Sequence, residues 1–357
     1  MRIAGLVIGA LAALTLNSAV DAQELRVGVA APLSGASSLL GEQVKTGAQA
    51  ATSFSGIELA ITDDACSAEG GARAAQDFIA QKAQIVVGFL CTEAIEAALP
   101  LLKDAGIPAI AVGVRADSMT DRREKTGWPV FRIAPRADDE REAAGTLLTA
   151  LWREELFAII DDGTIYGREL AESFRATAEQ AGLKPVFVDT FRPQLDNQIG
   201  LVGRLKKASA THVFVGGDRD DIAIMARDAG QVGADMVFAG GETLRAASGD
   251  VPLAQGTLMV ALPEWADGAG KEVAARLAGE GIIAEGYVLP AYAAIEIAGT
   301  ALAASADSGE PPVKTLSGRE FQTVIGPVRF DDKGDLSDNP YRLFRFDGKQ
   351  FIPVDAP

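Results

Sequence analysis

The stretch VVGFLCTEAIEAALPLLK (Val86–Lys103) holds an apolar β-branched run, a cysteine, a hydroxyl residue and then a helical pattern. An apolar run with no polar alternation reads as a strand buried on both faces, as in a parallel sheet covered by helices. The apolar positions from Thr92 onward recur at helical spacing, and Gly106 closes the segment. Thr92 falls at or near the expected helix N-cap, where a hydroxyl and free backbone donors face an anion. In open parallel sheets, such strand-to-helix junctions are where ligands bind. Taken alone, Thr92 also reads as a plain capping residue.

The same alternation extends on both sides. LRVGVAAPLSG, IELAITDDAC and PAIAVGV read as strands, with GEQVKTGAQAATSF and GGARAAQDFIAQ as helices between them. After WPVFRIAPRADDE the rhythm restarts: LFAIIDD, PVFVDTF, HVFVGGD and MVFAGGE alternate with helical segments such as YGRELAESFRATAEQAG and DDIAIMARDAGQVG. Two consecutive βα sets indicate an α/β protein with two similar lobes. Beyond GTLMVALPEW the pattern is mainly helical, with YVLPAYAAIEIAGTALAAS the longest candidate. GPVRFDDKGDLSDNPYRLFRFDGKQFIPV reads as antiparallel strands.

The chain has 357 residues, too many for one ordinary core, and its 48% apolar content suffices for two. The net charge is −16 without a basic stripe, which disfavours nucleic acid. Arg2 followed by the apolar Ile3–Leu16 reads as a secretory signal, with cleavage expected after Ala22. No later segment is expected to be long and apolar enough to cross a bilayer, so the expectation is a periplasmic protein.

Cys66 and Cys91 are the only cysteines and His212 the only histidine. A disulfide, a metal pair and two free thiols are the available readings. Export favours the disulfide, and a lone histidine argues against a metal. A bridge would contribute roughly 3 kcal/mol in the chain-entropy model. No nucleophile elbow and no complete dinucleotide-binding glycine motif is present, so no enzyme and no cofactor are expected.

Other expected strand ends carry Gly113 and Arg115, Asp218, and Glu242, with Tyr166 at a helix start. Taken singly, each acid reads as a turn or cap residue. Together, acids at two strand ends of one lobe opposite anion-binding donors of the other match a zwitterion.

LRVGVAAPLSGASSLLGEQVKTGAQAA, DDAC…VVGFLCTEA…LLKDAGIPAIAVG, VFRIAPRADDE, YGRELAESFRATAEQAGLKPV, GGETL and TVIGPVRFDDKGDL, in that order, resemble the periplasmic leucine/isoleucine/valine-binding protein family. These are substrate-binding proteins of branched-chain amino acid ABC transporters. The resemblance implies a type I periplasmic-binding fold: two Rossmann-like lobes joined by three crossovers, near Ile133–Arg136, Leu262–Trp265 and Pro327–Asp331. Lobe 1 would comprise residues 23–134 and 265–328, and lobe 2 residues 135–264 and 329–357, after a signal peptide of residues 1–22.

It also implies that Cys66 pairs with Cys91 and that a ligand carboxylate meets Thr92 and Gly113. Tyr166 would close from the second lobe, Asp218 and Glu242 would take the ammonium, and Tyr287 would lie near the ligand. Two positions depart from the family: Arg115 stands where relatives usually have Thr, and Leu40 where several have an aromatic. Arg115 either enters the cleft, binding the α-carboxylate or selecting a second anionic group, or points into solvent. The expected partners are a small amino-acid or carboxylate ligand and a membrane permease, with the protein a monomer. The alternative is a periplasmic sensory module for a small carboxylate or amide.

Overall fold

The computed structural model describes residues 25–52 and 56–354. The expected signal peptide and cleavage after Ala22 fall outside the described residues. The first sheet contains β1 (Leu25–Ala31), β2 (Ile57–Asp63), β3 (Ile85–Gly88), β4 (Ala109–Ala111) and β5 (Val130–Arg132). Its order is β2-β1-β3-β4-β5 and every pairing is parallel. The β-branched runs form these strands because both faces are covered. Val27, Val29, Ile85 and Val87 pack on one side with the helices Ser38–Thr52 and Val288–Ser308. Ala30, Val86 and Ala109 pack on the other with Ala68–Ala80 and Thr92–Asp104.

The second sheet repeats this plan with β6 (Phe157–Asp161), β7 (Phe187–Thr190), β8 (His212–Gly216), β9 (Val237–Gly240) and β10 (Leu258–Ala261). The hairpin β11 (Glu320–Thr323) and β12 (Gly326–Arg329) stands apart from both sheets, while β13 (Arg342–Phe346) and β14 (Phe351–Pro353) extend the second one. The second sheet's order is β14-β13-β10-β9-β8-β6-β7, parallel except at β13 and β14. This is the expected α/β architecture of two mainly parallel sheets.

Two expectations need correction. The helix Val288–Ser308 is long and apolar enough to span a bilayer by length and composition, with mean hydropathy 1.4 over its most apolar window. Its residues are largely buried in the first lobe's core, including Ala291, Ile295 and Ala298. Being apolar nearly all round reflects burial between neighbours. The third crossover also falls later than Pro327–Asp331. Phe330 and Leu336 pack in the first lobe's core, with Phe330 against Phe131 at 5.1 Å between ring centroids, so the chain leaves that lobe only after Leu336.

The reason is a buried charge cluster. Arg132, with no solvent exposure, donates from Nε to Asp335 Oδ1 at 2.6 Å, and from Nη2 to Thr120 Oγ1 at 2.8 Å. Arg136, on the first crossover, reaches Asp335 Oδ2 at 2.8 Å and Asp138 Oδ1 at 2.9 Å. Burial works against the Arg136 charge, but the hydrogen bonds it donates to Asp138, Asp121 and Asp335 outweigh that and raise its pKa. Gly334 lets the loop approach: its φ is +91°, and a Cβ there would meet Val130 O at 2.3 Å. Asp335 thus ties the third crossover to the first.

His212 opens β8 with its ring 5.2 Å from that of Trp152 and Nδ1 3.4 Å from Glu155. Burial lowers its pKa, more than the nearby Glu155 carboxylate restores.

Two outcomes follow from these contacts. Asp335→Ala strands two guanidinium groups and is expected to lower unfolding free energy by about 3–5 kcal/mol in urea denaturation; a loss below about 1 kcal/mol would refute the pinning role. As pH falls through the ordinary histidine range, near about 6.5, the unfolded chain takes up the His212 proton before the folded one does, so stability drops. His212→Gln should therefore lose less stability than the natural protein between about pH 7 and about pH 5, measured by denaturant midpoint.

Candidate functional site

Between the lobes lies a cavity of about 310 Å³. Its first-lobe wall includes Gly113 and Arg115, from the loop after β4. Leu262 and Trp265 enter from the second crossover, Tyr287 and Pro290 from the start of the long helix, and Pro340 from the third crossover. The surface is mostly apolar, with one guanidinium at its edge. The backbone of Gly113 lies against Tyr287 and Leu90; a Cβ there would stand 2.5 Å from Leu90 Cδ2 and 3.0 Å from Tyr287 Cε1.

Arg115 enters the cleft and meets the second lobe. Its Nη1 donates to Glu242 Oε2 at 3.2 Å, and the Tyr341 hydroxyl donates to the same oxygen at 3.0 Å. The Arg115 side chain keeps 41% of its exposure and Glu242 26%, so the pair faces the cleft without being sealed. Burial opposes the Arg115 charge, yet the Glu242 carboxylate beside it raises its pKa above the ordinary value. The loop bearing Arg115 is itself tied to the first crossover, where the Ala137 N–H is donated to Arg115 O at 2.9 Å.

Behind Glu242 stands a second carboxylate that sequence reasoning missed. Glu140, 7% exposed, is the second residue of the helix Asp139–Leu151. Its Oε1 accepts from the Tyr166 hydroxyl and from the Glu242 backbone N–H, each at 2.7 Å. Burial raises the Glu140 pKa, and these two hydrogen bonds only partly offset it. Burial, followed by the nearby carboxylates Glu140 and Glu242, also raises Tyr166. Tyr341 is raised by burial and then by Glu242. Both phenols therefore stay protonated and act as donors.

The structure thus brings Arg115, Tyr166 and Glu242 together, with Gly113 and Tyr287 lining the adjoining cavity. It does not bring Thr92 or Asp218 to that cavity. Thr92 is the first residue of its helix, next to Cys91 at the N-cap, so it stands near the N-cap as expected. Asp218 is exposed at the N-cap of the helix Arg219–Gln231 and makes no side-chain cap bond. Leu40 is 41% exposed. Cys66 and Cys91 form a disulfide with Cα atoms 5.2 Å apart, which fastens the loop after β2 to the end of β3. The acid-rich ADDE at the helix start was the one sequence signal for Glu140, and it pointed to capping.

Among known proteins, the family model described as periplasmic binding protein matches residues 24–350. The Leu/Ile/Val-binding protein homolog 3 of Brucella melitensis is 28% identical over 349 residues, 93% of this chain and 94% of that protein. A substrate-binding protein of an ABC transporter from Desulfitobacterium hafniense, solved with leucine, superposes with a TM-score of 0.64. It is 21% identical over 93% of this chain and all of that one. A solute-binding protein from Rhodopseudomonas palustris, solved with p-hydroxybenzoic acid, gives 0.63 at 18% identity, covering 93% of this chain and 96% of that one.

Gly241 shows how closely the second-lobe wall is built. A Cβ there would stand 2.3 Å from Glu140 Oε1 and 2.4 Å from the Tyr166 hydroxyl. Gly241→Ala is expected to push these two side chains apart and cost about 1–3 kcal/mol in chemical denaturation. Unchanged stability would mean that the Glu140–Tyr166 contact relaxes freely.

Proposed function

The chain belongs to the periplasmic binding protein family, and from that premise we propose that it captures a small apolar amino acid in the interlobe cleft and delivers it to the membrane permease of an ABC importer. Family membership makes it a binding protein and not an enzyme. The observation that carries the ligand class is the Arg115–Glu242 ion pair spanning the cleft beside an apolar cavity.

The charge balance of that pair selects between ligands. A zwitterion entering between the two side chains exchanges one ion pair for two: carboxylate with Arg115, ammonium with Glu242. Arg115 offers a planar fork suited to a carboxylate. An amine-free anion would draw Arg115 away and leave Glu242 beside the second carboxylate of Glu140, a like-charge contact in a desolvated wall. Uncompensated charge of that kind is costly. The apolar side chain would then occupy the cavity bounded by Trp265, Tyr287 and Leu262. The names of the relatives and the leucine in the D. hafniense protein support the same class.

Closure follows from where the contacts lie. Arg115 belongs to one lobe and Glu242 to the other, so a ligand touching both favours the closed arrangement by its differential affinity for it. The closed protein would dock on the permease.

A second reading, an aromatic carboxylate without an amine, is favoured by the Trp265 and Tyr287 rings lining the cavity and by the p-hydroxybenzoate-bound relative. Titration of tryptophan fluorescence against L-amino acids, benzoate and p-hydroxybenzoate separates the two, with Trp265 as the reporter. Saturable response to apolar L-amino acids is expected, falling about a hundredfold in affinity in Glu242→Ala. Response to the benzoates alone assigns the second reading, and no response to either set defeats both.

A further inference from the structure

We propose that Glu140 is the positioning residue of this cleft, a carboxylate that does not touch the ligand but holds Glu242 and Tyr166 in the arrangement that receives the ligand's polar end. The inference rests on the reading that Glu242 faces the ligand.

The geometry is convergent. One oxygen of Glu140 accepts from a phenol on the helix Ile165–Gln180 and from the peptide N–H that opens the turn Glu242–Arg245. Three separate elements of the second lobe therefore meet at a single atom. Glu242 is fixed at its backbone by Glu140 and at its carboxylate by Tyr341 and Arg115, so both ends of the residue are held. Gly241 leaves room for this contact where a methyl group would collide with both Glu140 and Tyr166.

Glu140 occupies a place where a carboxylate is costly. It is 7% exposed, and among the described residues no lysine or arginine forms an ion pair with it. An apolar residue would fill that space without the desolvation cost. The compensations are the helix N-terminus on which it sits and the two charge-assisted hydrogen bonds. The groups facing it are Tyr166, Glu242, Tyr341 and, across the cleft, Arg115. What it holds accounts for a carboxylate in that place.

The test compares the natural full-length protein with Glu140→Ala and Glu140→Gln. Glutamine keeps an acceptor oxygen and removes the charge; alanine removes both. Hydrogen exchange of the Glu242 amide, followed by NMR without ligand, is expected to quicken about tenfold or more in Glu140→Ala and to return close to the natural rate in Glu140→Gln. Affinity for L-leucine by calorimetry should follow the same order, falling about tenfold in the alanine variant and about threefold or less in the glutamine variant. Glu140→Met, close in volume and lacking the acceptor, replaces the alanine variant if that one does not fold.

An unchanged Glu242 amide in Glu140→Ala or Glu140→Met overturns the proposal. So does a glutamine variant that is as impaired as alanine in both measurements. If the natural protein binds p-hydroxybenzoate and not leucine, while the amide and the benzoate affinity respond to Glu140 in the expected order, the amino-acid reading fails and the positioning role stands.

Discussion

The buried Arg132–Asp335 contact is the constraint on which the rest of the architecture depends. A guanidinium with no solvent exposure and a carboxylate at 2% exposure can coexist only when every donor and acceptor is matched. Each side-chain nitrogen of Arg132 has an acceptor: Asp335 for Nε, the Ala116 carbonyl for Nη1 and the Thr120 hydroxyl for Nη2. Arg132 ends β5 just before the first crossover, and Asp335 lies just before the third. Fixing one against the other fixes where both crossovers leave the first lobe. Pro340 and Tyr341 follow within a few residues, which is how a charge pair in the first lobe's interior sets the cleft wall and the Glu242 partner.

The cleft reuses the same chemistry at higher exposure. Arg115 and Glu242 are half open to solvent, so their attraction is weakened by water and side-chain entropy, and a pair of this kind is worth about 1 kcal/mol or less. A weak internal pair is well suited to a binding site because a ligand can replace it. Had the pair been as deeply buried as Arg132–Asp335, displacing it would cost several kcal/mol and the cleft would stay shut on itself. Exposure, more than residue type, separates the pair that holds the fold from the pair proposed to meet the ligand.

What the sequence disclosed follows this division. Continuous β-branched runs such as those ending at Gly88 and Gly216 are local signals, and they marked both parallel sheets. Glu242 and Arg115 were legible because each stands alone beyond an apolar strand. Glu140 and Tyr341 were not, since their contacts with Glu242 span 102 and 99 residues and arise only when distant segments of the second lobe fold together. Asp218 carries the same strand-end signal and stands exposed at its helix N-cap, apart from the residues lining the cavity. The resemblance placed the third crossover near Pro327–Asp331, yet aromatic packing of Phe330 and the buried arginine bound to Asp335 keep the chain with the first sheet beyond that point.

Each wall of the cleft is braced from behind by a different device. In the first lobe the Cys66–Cys91 disulfide joins two strand-end loops, and Asp63 Oδ1 accepts from the Leu33 and Ala65 amides at 2.8 Å each, joining the loops after β1 and β2. In the second lobe Glu140 does the corresponding work through hydrogen bonds alone. Among the described residues three crossover segments carry the chain between the lobes, and the first and third are tied to each other by Asp335 and Arg136. With both walls internally fixed, the closure proposed for ligand capture is rotation of one lobe against the other about those segments. A ligand that touches both walls therefore spends its binding energy on bringing them together and little on ordering them, which is the condition under which closure reports occupancy.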